Sequence, residues 1–293
     1  MPNRRHLLSG ALALAAAPAA ARPRQAFVSR RIVVQTRGEG PDVILVPGLA
    51  STAAVWSGTA ARLAGTRRLH LVSVRGFGDL APQANVEGAL LGAVAGDIRR
   101  YIAEQALQGP AIIGHSMGGQ LALRVAADAP TWVSRVMTVD SSPFFPALVS
   151  PQATLSDVEP LARVAYQAIQ FLGDEALRAR GRGMGMDLGG ASDALMGAVG
   201  WQGGDRRVLA QALYEVMTVD LRRRLPEIVA PVTVVYGWSS DRDSPRSRTD
   251  ALFRAAYAGL PRPATFERIE GAEHMVMIDQ PARFLAAVER FLA

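Results

Sequence analysis

The chain of 293 residues contains no cysteine, which removes a disulfide framework, a thiol nucleophile and a thiolate metal site together. It contains no lysine either, so all 32 basic side chains are arginine, set against 26 acidic ones for a formal charge of +6. The arginines are scattered, with only short runs such as Arg222 to Arg224, and aromatics make up just 6% of the chain. A nucleic-acid binder gathers its cations on one face with aromatics interleaved, so this pattern argues against a nucleic-acid partner. No H-E-x-x-H pair, phosphate loop or dinucleotide fingerprint occurs, and no metal or other cofactor is implied. Histidine is scarce as well, with four in the chain, few enough to weigh each one.

Hydrophobic residues supply 49% and charged residues 20%, the balance of an ordinary soluble globular protein with a large core. The length suits one large α/β domain. The first residues, MPNRRHLLSGALALAAAPAAARPRQAF, run from a basic start through an apolar stretch to small residues, the order of a secretory signal peptide over 1–21 with a cleavage site at Ala19-Ala20-Ala21. Arg4-Arg5 before His6-Leu7-Leu8 resembles a twin-arginine export signal and predicts a periplasmic or secreted location. Cleavage there lowers the formal charge to +4. The apolar stretch is too short and too rich in alanine to anchor the chain in a membrane.

From about Arg30 onward, short β-branched runs alternate with amphipathic helical stretches, which predicts βαβ units around a mostly parallel sheet. The strand candidates are RIVVQT at 31–36, VILVPG at 43–48, LHLVSV at 69–74, PAIIG at 110–114, RVMTVD at 135–140, VTVVYG at 232–237 and TFERIE at 265–270. Helical patterns fall at 53–63, 88–107, 117–127, 247–258 and 281–292. The alternation stops between 141 and 228, where the patterns are helical (161–172 and 206–217), joined by a glycine-rich link at 181–193. This block reads as a helical insertion between two halves of a core, 28–140 and 229–293.

The stretch GHSMGG at 114–119 follows an apolar strand and opens a helix, the setting of a G-x-S-x-G nucleophile elbow. The serine in such a turn is held in a strained conformation with its Oγ above the sheet, and glycine flanks it because side chains there would collide. The following helix aims its N-terminal amides at a bound substrate, and the Met117 N–H is a natural oxyanion donor. A serine hydroxyl needs a base. Of the four histidines, His6 lies in the N-terminal signal and His70 inside a strand. The elbow turns His115 away from the serine, to pack or hydrogen-bond within the turn. His274, in the loop after the last strand, is the remaining base. An orienting carboxylate completes such a set: Asp241 beyond the sixth strand is preferred, with Asp243 beside it and Asp140, ending RVMTVD, as alternatives. For Asp140 a turn-capping role at Ser141-Ser142-Pro143 competes with catalysis.

The order Ser116, acid, His274, together with GHSMGG, the PGL turn after an early strand, RGFGD after the next and GAEHMVMIDQPARFLAAVERFL at the end, resembles the α/β-hydrolase family over about 28–293. The resemblance implies that fold, with 141–228 as a helical cap over the active site. It implies a second oxyanion donor at the Leu49 amide, where Pro47-Gly48 stands in place of the family's usual His-Gly. It also implies a small-molecule ester or lactone as substrate, with Phe144 and Phe145 as substrate-contacting residues, and Tyr166, Phe171, Met184, Met186 and Trp201 as further apolar side chains of the cap. Dehalogenases and epoxide hydrolases of this fold carry aspartate where Ser116 stands. Cofactor-free haloperoxidases or perhydrolases and C–C hydrolases keep the same triad. A ligand-sensing module that turns over slowly or not at all is the reading from outside enzymology.

Overall fold

In the computed structural model, residues 26–171, 183, 203–240 and 244–293 are described. Their strands are β1 (Ile32–Arg37), β2 (Asp42–Val46), β3 (Arg68–Val74), β4 (Ala111–His115), β5 (Arg135–Val139), β6 (Val232–Trp238) and β7 (Thr265–Glu270). The helices in chain order are α1 (Ser57–Leu63), α2 (Leu91–Glu104), α3 (Met117–Asp128), α4 (Leu155–Phe171), α5 (Arg206–Thr218), α6 (Arg246–Ala256), the single turn α7 (Val276–Asp279) and α8 (Pro281–Leu292). Every apolar run read as a strand from the sequence is one.

The strands form a single sheet in the order β1-β3-β2-β4-β5-β6-β7. β1 pairs antiparallel with β3, and the remaining pairs are parallel. A parallel sheet has both faces covered, so its central strands are apolar without interruption, and all five residues of β4 are buried. Alternate residues serve two cores. Ile44, Val46 and Ile112 face the layer formed by α2 and α3, whereas Val43, Leu45 and Ile113 face Trp56, Phe284 and Val288 on the side of α1 and α8. Burying side chains of this size contributes about 1.5–3 kcal/mol each.

The strand order also decides where a ligand can sit. From β2 the chain passes outward to β3, and from β4 it passes the other way to β5. The two loops diverge and leave a crevice at the carboxyl ends of neighbouring strands, the place where open α/β sheets bind ligands.

Between β5 and β6 the described residues carry α4 and α5, which pack on each other, and α5 is fastened to the core at both ends. Before it, Gly204 forms an antiparallel bridge with Phe77, and the Asp205 amide donates to the Gly76 carbonyl at 2.8 Å. Gly204 has φ +124°, and a Cβ there would stand 2.2 Å from the Gly76 oxygen, so only glycine fits. At its other end, the Glu215 carboxylate accepts from the Leu90 amide at 2.5 Å and the Leu91 amide at 2.8 Å. α2 has no side-chain cap of its own, and Glu215 supplies the acceptor that a helix N-terminus needs. Gln120 Nε2 donates to the Val216 carbonyl at 3.3 Å.

Removing Glu215 leaves two buried amides without partners, each costing about 1–3 kcal/mol. Glu215→Ala is therefore expected to lower stability by roughly 2–4 kcal/mol and Glu215→Gln by less, since an amide oxygen still accepts. Urea unfolding with an unchanged slope measures both, and equal midpoints for Glu215→Ala and the parent chain would show that Glu215 does not fasten α2.

Candidate active site

β4 ends at His115, and Ser116 stands between strand and helix with φ 51° and ψ −120°. Left-handed backbone of this kind is costly for a residue with a side chain, about 1–3 kcal/mol, and the surroundings hold it there. The Ser116 amide donates to the Val139 carbonyl at 2.9 Å, and Ser141 Oγ donates to the Ser116 carbonyl at 2.7 Å. The glycines are required by space. A Cβ on Gly114 would lie 2.1 Å from the Gly118 oxygen, one on Gly118 2.3 Å from the Val46 oxygen, and one on Gly119 2.4 Å from Ser141 Oγ.

The PGL turn after β2 packs directly on this corner. A Cβ on Gly48 would stand 3.1 Å from Ser116 Cβ, so the missing side chain lets the backbone leading to the Leu49 amide approach the serine. The turn closes from the Ser51 amide to the Gly48 carbonyl at 3.4 Å, with Ala50 left-handed at φ 58°. Met117 is the first residue of α3, where an amide has no acceptor within the helix. Leu49 and Met117 thus both lie beside Ser116, at the crevice between β2 and β4.

His274 lies in the loop after β7, and its Nδ1 is 2.7 Å from Asp140 Oδ2. Asp140 follows β5 directly, with φ 43°. Its amide donates to the Val235 carbonyl at 2.8 Å, and its Oδ1 accepts from the Gly237 amide at 3.2 Å. The carboxylate is almost wholly buried while the imidazole is half exposed. Gly237 meets a spatial requirement as well, because a Cβ there would be 2.3 Å from the Glu273 oxygen. The carboxylate that reaches His274 is therefore Asp140, ranked third from the sequence; Asp241 and Asp243 lie outside the described residues. The ranking turned on which strand end supplies the acid. β5 and β6 are neighbours in the sheet, so carboxylates beyond either one come to nearly the same place, and sequence spacing does not separate them.

The other two histidines within the described residues are buried. His70 is bonded at Nε2 to Asp42 at 2.8 Å and at Nδ1 to the Tyr101 hydroxyl at 2.6 Å, the satisfied strand residue expected. His115 does not close a bond within its own turn. Its Nε2 lies 2.9 Å from the His274 carbonyl, and the two rings are 4.6 Å apart.

Phe144 is fully buried, with the Arg222 guanidinium 4.6 Å from its ring centroid. Its ring lies beneath that guanidinium with no exposed surface. Phe145 is half-buried against the core. An apolar wall over the PGL turn comes instead from α4 and α5, where Ile169, Leu209 and Ala210 pack on Ala50, with Leu49, Tyr166 and Leu213 at its margin. Sequence reasoning named only Leu49 and Tyr166 of this group; periodicity alone does not say which helix face turns toward the site. The Phe171 side chain, Met184, Met186 and Trp201 lie outside the described residues. Among the described residues no group of three or more His, Asp or Glu side chains could hold a metal ion.

Burial, together with the nearby His274, pushes the His115 imidazole down to about 4 from its ordinary 6.5. The unfolded chain then binds the extra proton between these values, so His115 contributes stability that is full above pH 6.5 and is lost as pH falls toward 4, by at most roughly 3 kcal/mol. A His115→Gln variant should lose that part of the pH dependence. Parallel stability curves for variant and parent between pH 4 and 6.5 would show that His115 is not the titrating group.

Residues 43–287 match the model of the alpha/beta hydrolase family. A pimeloyl-[acyl-carrier protein] methyl ester esterase of Vibrio vulnificus strain YJ016 is 29% identical over 214 residues, covering 69% of this chain and 77% of its own. The corresponding esterase of Aeromonas hydrophila is 28% identical over 276 residues, covering 89% and 99%. Among solved structures, the enol-lactonase of Burkholderia xenovorans LB400 superimposes with a TM-score of 0.61 at 19% identity, over 89% of this chain and 96% of that one. MenH from S. aureus does so with a TM-score of 0.67 at 13% identity, over 90% and 98%. With a family model spanning most of the chain and a mostly parallel seven-stranded sheet beneath the strained serine, this chain belongs to the α/β hydrolase family, as an enzyme of esterase type.

Proposed function

We propose that the chain is a serine hydrolase that cleaves a small carboxylic ester or lactone through an acyl-enzyme, with Ser116 as nucleophile, His274 as base and Asp140 as the acid that orients it. The observation that carries this reading is the 2.7 Å contact between His274 Nδ1 and Asp140 Oδ2, at the sheet edge where Ser116 is held in a strained turn. A carboxylate accepts and does not donate, so Nδ1 carries the proton and Nε2 presents its lone pair. Ser116 Oγ attacks the substrate carbonyl carbon while its proton passes to His274 Nε2. The oxyanion that forms accepts hydrogen bonds from the Leu49 and Met117 amides. Collapse breaks the bond to the alcohol oxygen, which leaves with the proton from Nε2, and the acyl group stays on Ser116. Water then gives a proton to Nε2 and attacks the ester; the acid departs and Ser116 recovers its proton. Each oxyanion donor of this kind contributes about 3 kcal/mol to lowering the barrier.

The methyl ester esterases among the relatives and the apolar wall of α4 and α5 support a substrate with a hydrocarbon acyl part. In this reading 141–228 is the cap that covers the site. The signal-like segment at 1–21 adds export to the proposal, and Edman sequencing of protein recovered from the periplasm should begin near Arg22; an intact Met1 there would contradict cleavage.

Ser116→Ala should abolish hydrolysis of p-nitrophenyl acetate and labelling by a fluorophosphonate, and retained turnover would exclude the mechanism. Asp140→Asn should lower kcat by about 10⁴-fold, the effect of denying such a histidine its carboxylate, whereas Asp241→Asn and Asp243→Asn should leave it within a few-fold. The opposite ranking would move the acid to the loop after β6.

A further inference from the structure

His115 stands next to the nucleophile in sequence, yet its contacts are with two other parts of the site. Its ring is 2% exposed and lies between the PGL turn and the His274 loop. On one side Nε2 is 2.9 Å from the His274 carbonyl oxygen. On the other, a Cβ on Gly48 would stand 2.7 Å from Nδ1. A carbonyl oxygen only accepts, so Nε2 must carry the proton and Nδ1 the lone pair. Nδ1 is buried and has no hydrogen-bond partner among the described residues. An unpaired buried acceptor costs about 1–3 kcal/mol, a cost that a leucine or phenylalanine at this position would not carry. The fold accepts it at the one residue whose opposite ring nitrogen reaches the backbone of the triad histidine.

The His274 loop is also tied to β6, where the Gly271 amide donates to the Trp238 carbonyl at 2.8 Å and bare Gly237 admits the Ala272 and Glu273 carbonyls. The Glu273 amide donates to Asp279 Oδ2 of α7 at 2.9 Å, and the imidazole is held by Asp140 at Nδ1. Asp140 fixes one end of the ring, and the backbone that carries it is fastened to β6 through Gly271 and Gly237. The bond to His115 is what ties that backbone to β4, the strand bearing the nucleophile.

Resting on the reading of Ser116, His274 and Asp140 above, we propose that His115 is a positioning residue of this triad: its Nε2–H holds the His274 carbonyl while its ring bears on Gly48, so one side chain sets the spacing between base and oxyanion turn. It touches no reacting atom. Burial keeps the ring neutral at the pH of turnover, which preserves both the donor at Nε2 and the uncharged face toward Gly48.

The test uses the full chain with His115→Leu, His115→Phe and His115→Gln, the last placing an amide N–H where Nε2 was. Active sites are counted by fluorophosphonate labelling, so folded enzyme alone enters kcat. With p-nitrophenyl acetate, His115→Leu and His115→Phe should lower kcat by roughly 10–100-fold, the order of loss that a misplacement of about 1 Å brings. KM should stay within about two-fold and the acidic limb of the kcat/KM profile should shift. His115→Gln should restore kcat to within a few-fold and return the profile to that of the parent. If one apolar variant does not fold, the other with His115→Gln decides. Parental kcat per labelled site and an unshifted profile in the apolar variants, or no recovery in His115→Gln, would overturn the proposal. Failure of the triad reading would appear differently, as turnover by Ser116→Ala or absence of labelling in the parent chain.

Discussion

The site depends on one constrained residue. Ser116 occupies a backbone conformation that a side-chain-bearing residue avoids, and the constraint comes from backbones packed so closely that Gly114, Gly118 and Gly119 have no room for a methyl group. Their closeness brings β2, β4 and the start of α3 together at one point. The PGL turn reaches the serine only because Gly48 is bare on the side that faces it. Hydrogen bonds from Ser141 and to Val139 then offset the strain. Serine, oxyanion turn and helix N-terminus are therefore a single packing arrangement, and loosening any of its glycines disturbs all three.

The histidine arrives by a different route. It sits on a half-exposed loop with a carboxylate from β5 on one nitrogen and the His115 bond on its own carbonyl. Both anchors come from strands that already form the sheet, β4, which bears the serine, and β5 beside it. His274 is thus referenced to the same sheet as Ser116, although 158 positions separate them in the chain.

Much of this was readable without coordinates, for reasons that differ by residue. The strands were legible because buried parallel strands are apolar throughout, and the elbow because its glycines answer a local steric demand that sequence records directly. The carboxylate that meets His274 was not, since Asp140 and Asp241 follow strands that turn out to be adjacent, and adjacency is a property of sheet order that no local pattern encodes. The hydrogen-bond partner of His115 was not legible for a related cause. A residue beside the nucleophile was expected to satisfy itself locally, and its partner proved to be a loop 159 positions away. Phe144 follows the β5 strand end, but its ring is buried beneath Arg222, which composition does not reveal.

Glu215 caps the first turn of α2 from 124 and 125 positions downstream. A helix whose opening amides wait for a residue so much later cannot complete its N-terminus while the nascent chain is still emerging. Until α5 docks, water is the partner of that end, and the closing contact spans a long loop. The N-terminus of α2 and the docking of α5 are in this way one structural unit.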